Sequence, residues 1–345
     1  LGGTVDAGLA DILAQAGNDM LQSGILTAGN VTLTADTGSL TSTNTITATD
    51  PTTGVLVNVG EDASFSAAVL ATTGALSIDA GNDVTTLGGG TLTATLGLVS
   101  VTADGSISLS DAVVAGTSLT ITADTDVTTE LAAATLTANG GNVEVTAGED
   151  TTINGTVDAS VDILLAAGQD LVTNAVIGGT ASRDISLTAD TGSISTTAAV
   201  GRVAGREVTY LAGQNINISS TVQAGTDAVN LTTLTGSIVT MGDGSTVTAG
   251  TDVLVIAGQD VAFDADVTAT AGQISIRADG DVNTLDNRDG LLGVVDGQAA
   301  LLAPAGPITV DAGQDAHLFT VTPGGAVGND ATLTAGVDMT LGGTV

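Results

Sequence analysis

The chain has 345 residues, of which 43% are hydrophobic and only 1% aromatic, with 47 glycines, no cysteine and no tryptophan. A core of ordinary globular proportions draws on large aromatic side chains, so this composition points to a thin core, while the apolar content excludes plain disorder. The net charge of −33 sets 38 acidic residues against Arg183, Arg202, Arg206, Arg277, Arg288 and the single His317; with no Lys, it argues against nucleic acid or anionic lipid as partner and favours solubility and cation binding.

The opening piece, Leu1-Gly-Gly-Thr-Val-Asp-Ala7, leads through Asp11-Ile-Leu to an alanine at position 16. One pattern then recurs to the end: apolar, x, apolar, x, Ala, a turn carrying Gly and Asp, and a further apolar residue. Clear copies are Val143-Glu-Val-Thr-Ala-Gly-Glu-Asp150, Ile163-Leu-Leu-Ala-Ala-Gly-Gln-Asp170, Ile185-Ser-Leu-Thr-Ala-Asp-Thr-Gly-Ser-Ile194, Val253-Leu-Val-Ile-Ala-Gly-Gln-Asp260 and Ile308-Thr-Val-Asp-Ala-Gly-Gln-Asp315. The anchor alanines are Ala16, Ala35, Ala80, Ala103, Ala123, Ala147, Ala167, Ala189, Ala212, Ala257, Ala278, Ala312 and Ala335, with Val59 and Leu234 expected in the same place. Successive anchors lie from 19 (Ala16 to Ala35) to 24 (Ala123 to Ala147) positions apart, except for a gap of 34 between Ala278 and Ala312.

Apolar residues stand two and four positions before each anchor, as Val101 and Val99 or Ile121 and Leu119 do. That period of two marks a strand with one buried face. Each repeat holds two more strand-like pieces, one like Gly155-Thr-Val-Asp-Ala159, Ser220-Thr-Val-Gln-Ala224 and Ser245-Thr-Val-Thr-Ala249, the other like Leu171-Val-Thr173. Three short strands and three turns per repeat predict a coil of a triangular solenoid, since one repeat cannot bury its apolar side alone and stacked repeats can.

The predicted fold is all-β: a right-handed parallel β-helix of about 15 coils of roughly 22 residues, forming a rod on the order of 70 Å. It is read as one continuous segment over 1–345, with an irregular or enlarged coil around 283–307. Residues 341–345 repeat Leu1-Gly-Gly-Thr-Val5, Ile153-Asn-Gly-Thr-Val-Asp-Ala159 echoes the opening, and the chain starts at Leu with no leader. The expectation is a mature fragment or internal segment of a longer repetitive chain or filament. No run of about 18 apolar residues is present, so no membrane insertion is expected.

The Ala-Gly-Gln-Asp-(Leu or Val) and Leu-Thr-Ala-Asp-Thr-Gly-Ser-Ile signatures resemble the repeat regions of filamentous-haemagglutinin-like exoproteins of two-partner secretion, and the resemblance covers nearly the whole chain. It implies a secreted or cell-surface rod that is structural or adhesive. The lack of basic residues is unlike members that bind heparin or sulfated glycans.

The turn aspartates are the main candidate site. In register they stack one coil apart, where two carboxylates at 4.8 Å repel by about 1 kcal/mol in water. In one reading each carboxylate accepts backbone N–H groups within its own turn. In the other, Ca²⁺ sits between neighbouring carboxylates and carbonyls, with Asp150, Asp170, Asp260, Asp281 and Asp315 as candidate ligands and Asp19, Asp62, Asp83, Asp126 and Asp338 as a structural turn ladder.

Other signals are weaker. Thr-x-Thr pieces suggest an ice-binding face, but the position before the anchor also holds Gln15, Asp79, Arg277 and Asp311. A glycan-cleaving or glycan-binding β-helix would need basic or aromatic groups beside clustered acids. His317 has no second histidine or cysteine to make a metal site, and Tyr210 sits at a core phase. The expected role is therefore an extracellular structural or adhesive rod without catalysis or obligatory cofactor. Its expected partners are further copies of itself, end to end or side by side, and surface or matrix glycans. The alternatives are a calcium-dependent adhesin segment and a glycan-active β-helix.

Overall fold

The computed structural model describes residues 1–178, 184–199, 205–240, 245–284, 299–326, 328–343 and 345. The described residues form strands and turns with no helix. They fall into two compact units, Leu1–Ala167 and Gly168–Val345, each a parallel β-solenoid whose strands lie on three faces.

In the first unit, face A runs through eight strands from Val5–Asp6 to Val157–Ala159. Face B carries longer strands, from Ile12–Ala16 to Ile163–Ala167, and face C short ones from Met20–Gln22 to Thr151–Ile153. Each strand pairs in parallel with its counterpart one coil away, as Val99–Ala103 does with Leu119–Ala123. The period-two pattern is the cause. Leu119, Ile121 and Ala123 point inward and are buried, while Thr120 and Thr122 stand outside. Inward residues stack on their like: Leu33, Val57, Ile78, Val101, Ile121, Val145 and Leu165 make one column. Val59 lies in the anchor column between Ala35 and Ala80, as the sequence indicates.

In the second unit, face B runs from Ile185–Ala189 to Ala331–Ala335, face C from Leu171–Thr173 to Met339–Leu341, and face A from Thr221–Gln223 to Thr320–Pro323. Tyr210 fills the core column between Leu187 and Leu231 and is fully buried. The other anchor substitute differs from expectation. Thr233, not Leu234, pairs with Ala212. Leu234 is 63% exposed and Thr233 2%. Thr233 can be buried because its hydroxyl donates to the Gly236 carbonyl at 2.7 Å and accepts the Gly258 N–H at 3.3 Å.

The 34-residue gap does not disturb register: Ile274–Ala278 pairs directly with Ile308–Ala312. Within the expected irregular stretch 283–307, the part at 299–307 is an ordinary coil, with strand Ala300–Ala303 on face A. The Ala299 N–H donates to the Thr284 carbonyl at 3.0 Å, so the coil closes across the extra residues. The remainder of that stretch, 285–298, lies outside the described residues.

The corners need close backbone approach. Gly54 has φ +82°, and a Cβ there would lie 2.1 Å from the Ala75 carbonyl oxygen. No side chain fits.

Candidate functional site: the corner columns

The turn aspartates gather into one column at the corner that enters face C. In the first unit its members are Asp19, Ser39, Asp62, Asp83, Ser106, Asp126 and Asp150. The Ser39 N–H donates to Asp19 Oδ1 (3.1 Å), the Asp62 N–H to Ser39 Oγ (3.2 Å), the Asp83 N–H to Asp62 Oδ1 (3.2 Å) and the Ser106 N–H to Asp83 Oδ1 (2.8 Å). The Asp150 N–H donates to Asp126 Oδ1 at 3.1 Å.

In the second unit the run is unbroken from Asp170 to Asp338. Ser193, Asn215, Ser237, Asp260, Asp281, Asp315 and Asp338 each donate the backbone N–H to the side-chain oxygen one coil back, over 2.7 to 3.3 Å. The bonds thus run between coils. The expected Asx bond within the turn is found elsewhere, at Asp50, whose carboxylate accepts the Thr52 hydroxyl (2.7 Å) and N–H (2.8 Å). Those two bonds, the hydroxyl first, hold the Asp50 carboxyl below its ordinary range.

The column exists because the corner amide has lost its backbone acceptor. The Asp260 carbonyl already accepts the Ile238 N–H, at 2.9 Å, and the Gln259 carbonyl accepts the Gly280 N–H, at 2.8 Å. The Asp281 N–H turns instead to Asp260 Oδ1, also at 2.8 Å. A hydrogen bond to a charged acceptor is worth about 1.5–3 kcal/mol. The repulsion between carboxylates one coil apart is about 0.9 kcal/mol in water, so the amide bond outweighs it. Interspersed Ser and Asn keep the acceptor and dilute the charge.

All ten sequence-selected aspartates therefore occupy equivalent places, one per coil, with Oδ1 of most of them engaged by an amide. Calcium would require six to eight oxygens around one point. Among the described residues no group of three or more His, Asp and Glu side chains is placed to hold a metal. The same device recurs at the corner entering face B, where Gly54 and Thr53 donate to Asn30 Oδ1 and Gln273 to Asp252 Oδ1.

A second column was not legible beforehand. At the end of the short face C strands, Thr86, Thr129, Thr240 and Thr284 are fully buried. Their hydroxyls accept the backbone N–H groups of Ser110, Asn154, Asp264 and Phe319 at 2.7 to 2.9 Å. In other coils that amide goes to a backbone carbonyl, as Glu130 N–H does to Leu109 at 2.7 Å. The available signal is a Thr closing a short strand, matched one coil later by a bulky residue: Leu109 above Thr86 and Ile153 above Thr129.

The remaining candidates lie apart. Arg206 meets Asp227 at 3.4 Å and Arg277 meets Asp279 at 3.8 Å, both on the surface. Arg183, Arg202 and Arg288 lie outside the described residues. His317 stands on the outer side of face C between Asn283 and Thr340. Thr102, Thr122 and Thr146 are consecutive on face B, but their column continues into Asp79 on one side and Ala166 on the other. Burial pushes the Tyr210 phenol well above its ordinary pKa; Thr196 pulls weakly the other way, though the two oxygens do not reach hydrogen-bonding geometry. Comparison of the chain with family models, curated proteins and solved structures gives no match.

Proposed function

We propose that this chain is a structural segment of an exported surface or matrix rod of the filamentous-haemagglutinin-like kind, acting through stiffness, spacing and self-association rather than chemistry. The observation that carries this reading is the regularity of both units. Coil after coil pairs in register, and variation is confined to the corners. Ladders of parallel backbone hydrogen bonds resist bending, and stacked coils bury a continuous apolar column that single coils lack. The acidic coat, −33 over the chain, keeps such an object soluble outside the cell and disfavours nucleic acid and anionic membranes as partners. Most of the turn aspartates selected as candidate ligands or ladder residues hold Oδ1 against a corner amide, which supports a structural assignment for them.

The test is small-angle X-ray scattering on dilute monomer, compared with a variant lacking residues 104–123, one whole coil between Ala103 and Ala123. The reading expects a rod whose cross-section is unchanged and whose length falls by about 4.8 Å. A globular profile, or collapse of the fold on removing one coil, would contradict it.

A further inference from the structure

The short strands of face C end in an alternating column. In the first unit Phe65, Thr86, Leu109, Thr129 and Ile153 stack in that order, bulky and small by turns. In the second unit Thr196, Ile218 and Thr240 follow the same rule. One step breaks it: Thr173 pairs directly with Thr196.

The hydroxyls at this break are used differently from the rest. Thr86, Thr129 and Thr240 each accept the amide of the residue that follows the bulky side chain one coil on, over 2.7 to 2.9 Å. At the break the corresponding amides go to backbone. The Thr197 N–H donates to the Thr173 carbonyl at 2.9 Å, and the Ser219 N–H to the Thr196 carbonyl at 2.8 Å. Thr173 Oγ1 and Thr196 Oγ1 are thereby left with no protein partner, although Thr173 is 0% exposed and Thr196 1%.

The chain's single tyrosine meets the same place. Tyr210 lies in the face B column between Leu187 and Leu231. Its hydroxyl has no protein partner either, and the side chain is fully buried. Thr196 is the polar side chain that acts on it from across the core. Three buried hydroxyls without a protein partner therefore stand together: Thr173 stacks on Thr196, and Thr196 faces Tyr210.

Leaving a buried hydroxyl unpaired costs the desolvation of that group, and a buried water characteristically makes about three hydrogen bonds to such groups. We propose that Tyr210 Oη, Thr196 Oγ1 and Thr173 Oγ1 together bind one ordered water inside the second unit. Each hydroxyl can donate or accept, so a single water that gives two hydrogens and accepts a third satisfies all of them. Three neutral hydroxyls carry no charge to offset the dehydration of an ion, which makes water the ligand rather than a cation. The water closes the step at which two small residues follow each other, and a satisfied polar cluster fixes the register of the coils around it. Water binding here does not depend on what the outer surface of the chain does.

A high-resolution crystal structure of the native chain is expected to show water density about 2.7–3.0 Å from all three oxygens. Two substitutions read the same site in solution: Thr196→Val and Tyr210→Phe each keep the shape and remove one hydroxyl. Water-oxygen magnetic relaxation dispersion counts waters held inside a protein, and the count is expected to fall by about one per chain in the double variant. Each single variant is expected to lower the denaturant midpoint, because it strands the remaining partners, and the double variant to lower it by less than the sum. Removal of a hydroxyl that binds nothing would instead hold the midpoint or raise it. A direct Tyr210–Thr196 hydroxyl bond with no density beside it, density that reaches fewer than all three oxygens, an unchanged water count in the double variant, or midpoints that hold or rise in both single variants overturns the proposal. Should a variant fail to fold, the density in the native chain decides.

Discussion

Replacing Asp281 separates the two forces that act in the corner column. Its Oδ1 accepts the Asp315 N–H at 2.9 Å, and its own N–H donates to Asp260 Oδ1 at 2.8 Å. Asp281→Ala removes the acceptor and leaves a partly buried amide without one, a loss of roughly 1.5–3 kcal/mol for a charged acceptor. It also relieves repulsion from Asp260 and Asp315, about 0.9 kcal/mol each in water, so the two effects largely offset and the net destabilisation is about 0–1 kcal/mol at low salt. At 1 M salt the Debye length shrinks to about 3 Å, the relief vanishes, and the full cost of roughly 1.5–3 kcal/mol is expressed. Asp281→Asn keeps the acceptor oxygen and loses the charge, as Asn215 does naturally when it accepts the Ser237 N–H at 3.0 Å. Its net effect is expected within about 0.5 kcal/mol at low salt. Hydrogen exchange at the Asp315 amide reads these differences locally, which suits a solenoid whose unfolding need not be two-state. Asp281→Ala should accelerate exchange about 10- to 150-fold in high salt, the equivalent of about 1.5–3 kcal/mol, and Asp281→Asn far less. Equal protection in Asp281→Ala and the native chain, or equal loss in both variants, would refute the ladder as a stabilising device.

Gly54→Ala should cost roughly 2 kcal/mol or more, since it adds a Cβ at φ +82° against the Ala75 carbonyl; Gly17→Ala, where a Cβ meets nothing within 4 Å, should stay within about 0.5 kcal/mol in the same denaturant titration. Tyr210, the single tyrosine, should resist ionisation in an absorbance titration past its ordinary value of about 10. Burial holds the folded phenol protonated, so this group's contribution to stability is full below that value and declines as pH rises above it, because only the unfolded chain can then ionise; a normal tyrosinate transition in folded protein would place the side chain outside the core. Because the column carboxylates serve amides, melting curves with millimolar Ca²⁺ and with chelator should coincide at matched ionic strength, and a saturable upward shift would instead assign the metal.

The strands were readable because their cause is local. Leu119, Ile121 and Ala123 alternate with threonines, and that alternation alone decides which face is buried. Val59 was placed correctly for the same reason. Leu234 was not, because hydrophobicity alone ranks leucine above Thr233; only the closure of the Thr233 hydroxyl on Gly236 and Gly258 makes threonine the inward residue. The direction of the aspartate bonds was hidden for a different reason. The donor for Asp281 lies 34 residues ahead, at Asp315. Such a partner is fixed by coil length, which varies at the corners, and not by the turn itself. The buried hydroxyls of Thr86 and Thr129 likewise answer to residues 24 and 25 positions on.

Electron–electron distance measurements between paired spin labels test the stacking itself. Thr32, Ser100, Thr120 and Glu144 all stand on the outer side of face B in the first unit, at the same strand position. With one label at Thr32 and the second moved to Ser100, Thr120 and Glu144, the distances should step up evenly, near 14, 19 and 24 Å by the roughly 4.8 Å strand spacing. Distances that failed to grow with coil number, or that fell as the second label moved on, would mean that the strands do not stack one coil upon the next.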